Sequence, residues 1–151
     1  TPFADQELKG ALVGLTLGTD APRIFRALVE ATAFGSRAIV DRFREEGLEI
    51  KQIIAQGGIP GKNEFVMQVT ADVLNMPIHV VQSEQAVALG AAMFAATAAG
   101  VFSDIHRAQE QMSSGYARVY EPTHPSADHY RLLYEKYLNI GEMLADTLRG
   151  L

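Results

Sequence analysis

Gln56-Gly57-Gly58-Ile59-Pro60-Gly61-Lys62-Asn63 puts three glycines and a proline between an apolar run and an amphipathic one. A turn without side chains lets backbone approach a ligand closely, and the helix start that follows offers unpaired N–H groups in a partly positive field. Turns of this composition also join strand to helix with no ligand involved, their glycines serving only positive φ angles. Two common nucleotide motifs do not apply. A phosphate-binding P-loop needs glycine five positions before Gly61 and a hydroxyl after Lys62, where Gln56 and Asn63 stand. The dinucleotide fingerprint GxGxxG fails on the glycine spacing after Gly57-Gly58.

Other residues able to carry chemistry have plainer readings. Glu30 lies on a helix among arginines, the setting of a surface ion pair. Glu84 follows a strand, where a place in a solvated loop is preferred to the lining of a cleft. His124 and His129 flank Asp128 near a helix start, but no convincing third ligand accompanies them, so loop and cap roles are preferred to a metal site. His79 reads as a packed or paired histidine, Met93 and Phe94 as core, and Tyr130, Tyr134 and Tyr137 as a helical stripe.

The elements that must hold these residues alternate in type. Gly10 to Gly18 is a short apolar segment bounded by glycines and predicts a strand. Thr19 or Asp20 can cap the next helix, Pro22 suits its first turn, and Ile24, Ala27, Leu28, Ala31, Phe34 and Ala38 form one apolar face ending near Gly47. Ile50 to Ala55 predicts a buried strand, Gln56 to Asn63 a loop, and Asn63 the cap of a helix that Asn75-Met76-Pro77 breaks. Ile78 to Val81 reads as another strand. Ala86 to Ala99 is apolar on every side and predicts a helix packed inside. Ser103 opens a short helix through Gln111, Ala117 to Tyr120 is a brief extended piece, and Glu121 to Pro125 is a loop. Ser126 then starts a long helix with Tyr130, Leu133, Tyr137, Ile140, Leu144 and Leu148 on one stripe. Such alternation implies an α/β layer structure with parallel neighbouring strands.

Composition narrows the class. At 151 residues and 48% hydrophobic content, one domain with a substantial core is expected. The net charge of −5 is spread without a basic cluster, which gives neither nucleic acid nor an anionic membrane a source of attraction. The absence of cysteine excludes thiolate metal sites and disulfides and fits a reducing, cytoplasmic setting. The longest apolar run is too short to span a bilayer, and Thr1-Pro2-Phe3-Ala4-Asp5 is no signal peptide. The absence of a starting methionine suggests a piece of a longer polypeptide.

Three ordered blocks then carry a resemblance. Gly14-Leu15-Thr16-Leu17, followed by Arg26-Ala27-Leu28-Val29-Glu30-Ala31-Thr32-Ala33-Phe34-Gly35, resembles a signature of the FGGY carbohydrate kinases. Gly57 to Asn63 is similar to their adenosine-binding turn, and Ala88-Leu89-Gly90-Ala91-Ala92 to their interlobe-connecting helix. Two departures are Arg23, where a polar or acidic residue is usual, and Lys62, where asparagine is frequent.

The resemblance implies a ribonuclease H-like (actin-like ATPase) C-terminal lobe, incomplete at its N-terminal side and carrying additional C-terminal helices. Gly10 to Gly18 would be the last of its three antiparallel strands. Residues 1–151 would form the nucleotide-binding domain, with the catalytic and sugar-binding parts upstream in a missing N-terminal lobe. ATP or ADP would be the cofactor, with magnesium in the intact enzyme. Gly57, Gly58 and Ile59 would lie along the adenosine, and Lys62 and Asn63 would face the adenine or ribose edge. The catalytic carboxylate of the family lies upstream, so no catalytic residue is assigned. The wording of Glu30 to Gly35 leans toward members acting on L-ribulose, a step of arabinose catabolism. The rivals are another actin-like ATPase lobe and a noncatalytic interaction module.

Overall fold

The computed structural model describes residues 5–149, so Thr1 to Ala4 of the opening segment read above lie outside the described residues. The elements run α1 (Ala21–Glu45), β1 (Ile53–Ala55), α2 (Gly58–Lys62), α3 (Glu64–Leu74), β2 (Ile78–Val81), α4 (Ala86–Ala98), α5 (Ile105–Met112), β3 (Tyr116–Tyr120) and α6 (His124–Leu148). They group into two units. Among the described residues, one draws on residues 5–51, 68–76 and 121–149, the other on Gln52–Met67 and Pro77–Tyr120. No helix among the described residues is long and apolar enough to cross a membrane.

The first unit is helical. Asp20 is the residue that caps α1, its Oδ1 accepting the Arg23 N–H at 3.0 Å, and Gly47 ends the helix region at φ 81°, a conformation that costs glycine little. Ala33 and Phe34 of α1 pack with Val69 and Val73 of α3 and with Tyr130 and Tyr134 of α6. The Phe34 ring meets Tyr130 edge-on at 6.2 Å and Tyr137 at 5.2 Å, favourable quadrupole geometries.

The buried face of α1 differs from the expected one. Leu28 is exposed, whereas Glu30, read as a surface ion pair, and the equally charged Arg37 are half-buried. Each is tolerated because it is bonded. The Tyr130 hydroxyl donates to Glu30 Oε1 at 2.9 Å, and Arg26 Nε reaches the same oxygen at 2.8 Å. Arg37 lies 4.3 Å over the Tyr134 ring and donates to the Val73 carbonyl at 3.3 Å. Glu30 is thus a link between α1 and α6 rather than a wholly exposed ion pair.

Gly10 to Gly18 forms no strand. A strand exists through the ladder it makes, and among the described residues none pairs with this segment. Instead Thr16 donates to Thr19 Oγ1 at 2.9 Å and accepts from Thr19 N–H at 3.0 Å, a closed turn. Arg23, one of the two departures noted above, donates to the Gly18 carbonyl and ties that turn to α1. Helix α6 also starts earlier than Ser126, at His124, with Thr123 at the cap position and Pro125 in the first turn, where its missing N–H costs nothing.

Asp72, only 5% exposed, holds that start in place. Its Oδ1 accepts from Thr123 N–H at 2.8 Å, Thr123 Oγ1 at 3.0 Å and Gln68 Nε2 at 3.0 Å. A carboxylate at a helix N-terminus is further favoured by the helix dipole.

The second unit holds a three-stranded sheet in the order β1-β2-β3. β1 and β2 are parallel, Ile53 opposite Ile78 and Ala55 opposite Val80, as the alternation of elements implied. β3 is antiparallel to β2 and begins at Tyr116. The β1 ladder is shorter than the apolar run from Ile50, since only Ile53 to Ala55 find partners. Ile78, Val80 and Tyr120 share the buried face. His79 points the other way, its ring 4.8 Å from that of Tyr116, and its buried Nδ1 has no partner.

Helix α4 corrects another expectation. Only Met93 is buried, while Val87 is 80% and Phe94 67% exposed. A helix apolar all round has no preferred face, so burial depends on how many neighbours surround it, and this unit covers one side. Gly100, at φ 76°, ends the helix and lets Val101 N–H return to Ala96 O at 2.9 Å. The cap of α5 is Asp104, one residue beyond Ser103: its Oδ1 accepts from Arg107 N–H at 3.0 Å, and the Ser103 hydroxyl bonds its other oxygen at 2.9 Å.

Replacing Asp72 with Ala should destabilise the fold by about 1–3 kcal/mol, since Thr123 N–H loses its acceptor inside the protein. Asp72→Asn keeps an oxygen at the same position and should cost about 1 kcal/mol, a ranking that urea unfolding of the two variants will test. Burial first, and Glu30 after it, push the Tyr130 hydroxyl above the ordinary tyrosine value against the lowering pull of Arg26. The phenol is neutral when protonated, so this raised value favours folding below the unfolded pKa near 10 and is lost as pH climbs through the folded one. Urea midpoints should therefore fall on going from about pH 9 to about pH 11, and less so in Tyr130→Phe.

Candidate functional site

The parallel pairing of β1 and β2 sends the chain out of both strands at the same edge of the sheet. From β1 it enters Gln56 and Gly57, from β2 the segment Gln82 to Gln85. The crevice beyond the carboxyl ends of parallel strands is where open α/β sheets commonly take ligands.

Gly57 makes the first turn possible. Its φ of 102° and ψ of −168° belong to a region open essentially to glycine alone. The next residues do not form the expected loop but one turn of helix, α2, closed by Asn63 N–H to Ile59 O at 3.0 Å. Pro60 fits there because a first-turn N–H has no intrahelical acceptor to lose. Asn63, the expected cap, then starts α3. Its Oδ1 accepts from Val66 N–H at 3.1 Å and its carbonyl from Met67 N–H at 3.3 Å.

The second turn is fixed by Gln82 N–H to Gly115 O at 3.0 Å and by Ser83 Oγ accepting the Gln85 N–H at 3.3 Å. Helix α4 starts directly behind it, with no side chain capping its first N–H groups. Between the two turns lies an open cavity of about 300 Å³, lined by Gln56, Gly57, Glu84, Gln85, Ala86 and Val87.

Of the five residues proposed from sequence, Gly57 is on the cavity wall, while Gly58, Ile59, Lys62 and Asn63 follow it outside the lining. The glycine surface is not filled by the protein: a Cβ built on Gly57, Gly58 or Gly61 meets nothing within 4 Å. Ile59 is 62% exposed beside it. Lys62 is exposed and has no ion-pair partner among the described residues. Asn63 commits its oxygen to the cap, and its amide NH₂ has no partner among the described residues. This arrangement can offer a planar ligand bare backbone, one apolar side chain and two nitrogen donors.

Glu84, read from sequence in preference as a solvated-loop residue, is exposed and also part of the cavity wall. Gln85 carries no distinguishing sequence signal beyond its place just after a second parallel strand, since single polar residues before a helix are common. Among the described residues no group of three or more His, Asp or Glu is gathered to hold a metal ion. His124 is the first residue of α6, and the His129 ring lies 5.9 Å from that of Tyr130.

These elements define a mixed α/β fold of the actin-like ATPase class, shared with solved sugar kinases. The ligand-bound xylulose kinase from Lactobacillus acidophilus superposes with a TM-score of 0.86 at 28% identity, covering 97% of this chain and 29% of that one. Residues 1–99 match the C-terminal domain of the FGGY family of carbohydrate kinases, and the chain belongs to that family. It is 48% identical over 143 residues to the ribulokinase of Vibrio parahaemolyticus serotype O3:K6, covering 94% of this chain and 25% of that protein. It is also 45% identical over 139 residues to the ribulokinase of Shouchella clausii, covering 89% and 25%. The chain spans about a quarter of the length of these curated relatives.

The two leading glycines should respond differently to a methyl group. Gly57→Ala should cost about 1–3 kcal/mol through its backbone angles. Gly58→Ala, at the first position of α2 with open space beyond, should lie within about 1 kcal/mol of the parent. Thermal unfolding of both variants is the check.

Proposed function

We propose that this chain is the adenosine-binding lobe of an ATP-dependent kinase that transfers the γ-phosphoryl group of ATP to a hydroxyl of L-ribulose, giving L-ribulose 5-phosphate. The observation that carries it is the unfilled backbone surface at Gly57 and Gly58, at the end of a parallel strand. Family membership supports the reaction class, and the ribulokinase names of the relatives support the sugar.

In this reading Gly57, Gly58 and Ile59 lie along the adenosine. A side chain on either glycine would occupy space the purine needs, and a flat base gains most from a close apolar wall. Lys62 and the Asn63 amide face the adenine or ribose edge. In the transfer the sugar oxygen bonds to the γ-phosphorus as the bond to the β-bridging oxygen breaks, the hydroxyl proton goes to a base, and ADP leaves. This chain contributes grip on the nucleoside, and the carboxylate that takes the proton belongs to the rest of the enzyme. When bound, magnesium would neutralise phosphate charge. The exposed apolar residues of α4 favour a partner surface, which in this reading meets the N-terminal lobe. Dependence on ATP fits a cytoplasmic enzyme.

In the full-length protein, Gly58→Val should weaken ADP binding about tenfold, the cost of wedging a branched side chain into the contact, while leaving the unfolding temperature unchanged. Calorimetric titration measures it. An unaltered ADP affinity would leave the turn as a simple connector.

A further inference from the structure

Glu84, Gln56 and Gln85 have no side-chain hydrogen bond or ion pair among the described residues, yet all three line one cavity of about 300 Å³. Gly57, Ala86 and Val87 complete the lining, so the open hollow sets three polar side chains beside an apolar wall, the usual make-up of a small-molecule site. The set has a definite chemistry. A carboxylate is acceptor-only, with two oxygens able to receive two neighbouring O–H groups, and each amide can donate and accept.

The same charge excludes the other end of a nucleotide. A phosphate placed beside Glu84 would meet a like charge, and the uncapped start of α4 just behind it has its positive field offset by that carboxylate. Gly57, whose angles only glycine holds, is the residue that joins this hollow to the open surface of α2.

We infer that the cavity takes the ribose of the bound nucleotide and that Glu84 is a specificity-determining residue, receiving hydrogen bonds from the 2′- and 3′-hydroxyls. The assignment rests on the nucleotide reading of the turn given above. It makes this edge of the sheet the place where a ribonucleotide is told from its deoxy counterpart, with the glycine surface holding the base and the charged hollow holding the sugar.

The test uses the full-length protein and compares ADP with 2′-deoxy-ADP by calorimetry in the parent, Glu84→Ala and Glu84→Asp. In the parent, loss of the 2′-hydroxyl should weaken binding about tenfold, the usual worth of a hydrogen bond to a charged acceptor. Glu84→Ala should weaken ADP binding to a similar extent and bind both nucleotides equally, while Glu84→Asp, one methylene shorter, should restore part of the preference. The unfolding temperature should not move, since Glu84 is exposed and its side chain has no partner among the described residues. Equal binding of both nucleotides by the parent, or a preference kept in Glu84→Ala, would overturn the assignment. If Gly58→Val lowers ADP affinity while Glu84→Ala leaves the deoxy ratio intact, this inference alone fails. If neither nucleotide binds the parent, the nucleotide reading itself falls.

Discussion

The site depends on the parallel pairing of Ile53, Ile54 and Ala55 with Ile78, His79 and Val80. Parallel strands cannot be joined by a tight hairpin, so the chain must leave the first strand, cross over through α2 and α3, and return to the same starting edge. The consequence is that two turns from distant parts of the sequence emerge side by side. Were the second strand antiparallel to the first, Gly57 and Glu84 would lie at opposite edges, and neither the open glycine surface nor the hollow beside it would exist as one place.

Backbone detail then decides what that place can hold. Gly57 adopts angles closed to other residues and immediately feeds a single helical turn, so the N–H groups of Gly58 and Ile59 have no carbonyl ahead of them. Asn63 ends that turn and starts the next helix, which fixes the length of bare surface at one turn. Small residues are useful here for the room they leave: beyond the adjoining backbone, a Cβ added at Gly57, Gly58 or Gly61 meets nothing within 4 Å.

The helical unit shows how polar groups enter an interior. Asp72 receives three hydrogen bonds on one oxygen, Glu30 shares an oxygen between Arg26 and Tyr130, and Arg37 stacks on Tyr134 while bonding a helix carbonyl. None of these follows from hydrophobic periodicity, which sorts residues by polarity and assigns each of them to water. Leu28 and Phe94 err the other way, for an apolar residue is buried only if a neighbour arrives to cover it.

What the sequence determined by itself was local or carried by motif: a helix cap at Thr19 or Asp20, the helix from Glu64 opened by Asn63, the strand at Ile78, the glycine turn, and through three ordered blocks the family. These are legible because a cap, a break or a positive φ depends on a few adjacent residues. Tertiary structure alone decided that Gly10 to Gly18 makes a turn without a ladder, that α4 is covered on one side, that Asp72 pins the start of α6, and that Glu84 lies on a wall with Gly57. The last two depend on a partner far along the chain and the first two on neighbours that do not arrive to pair or cover, and pairing between distant segments is a property of the folded arrangement that no local spacing records.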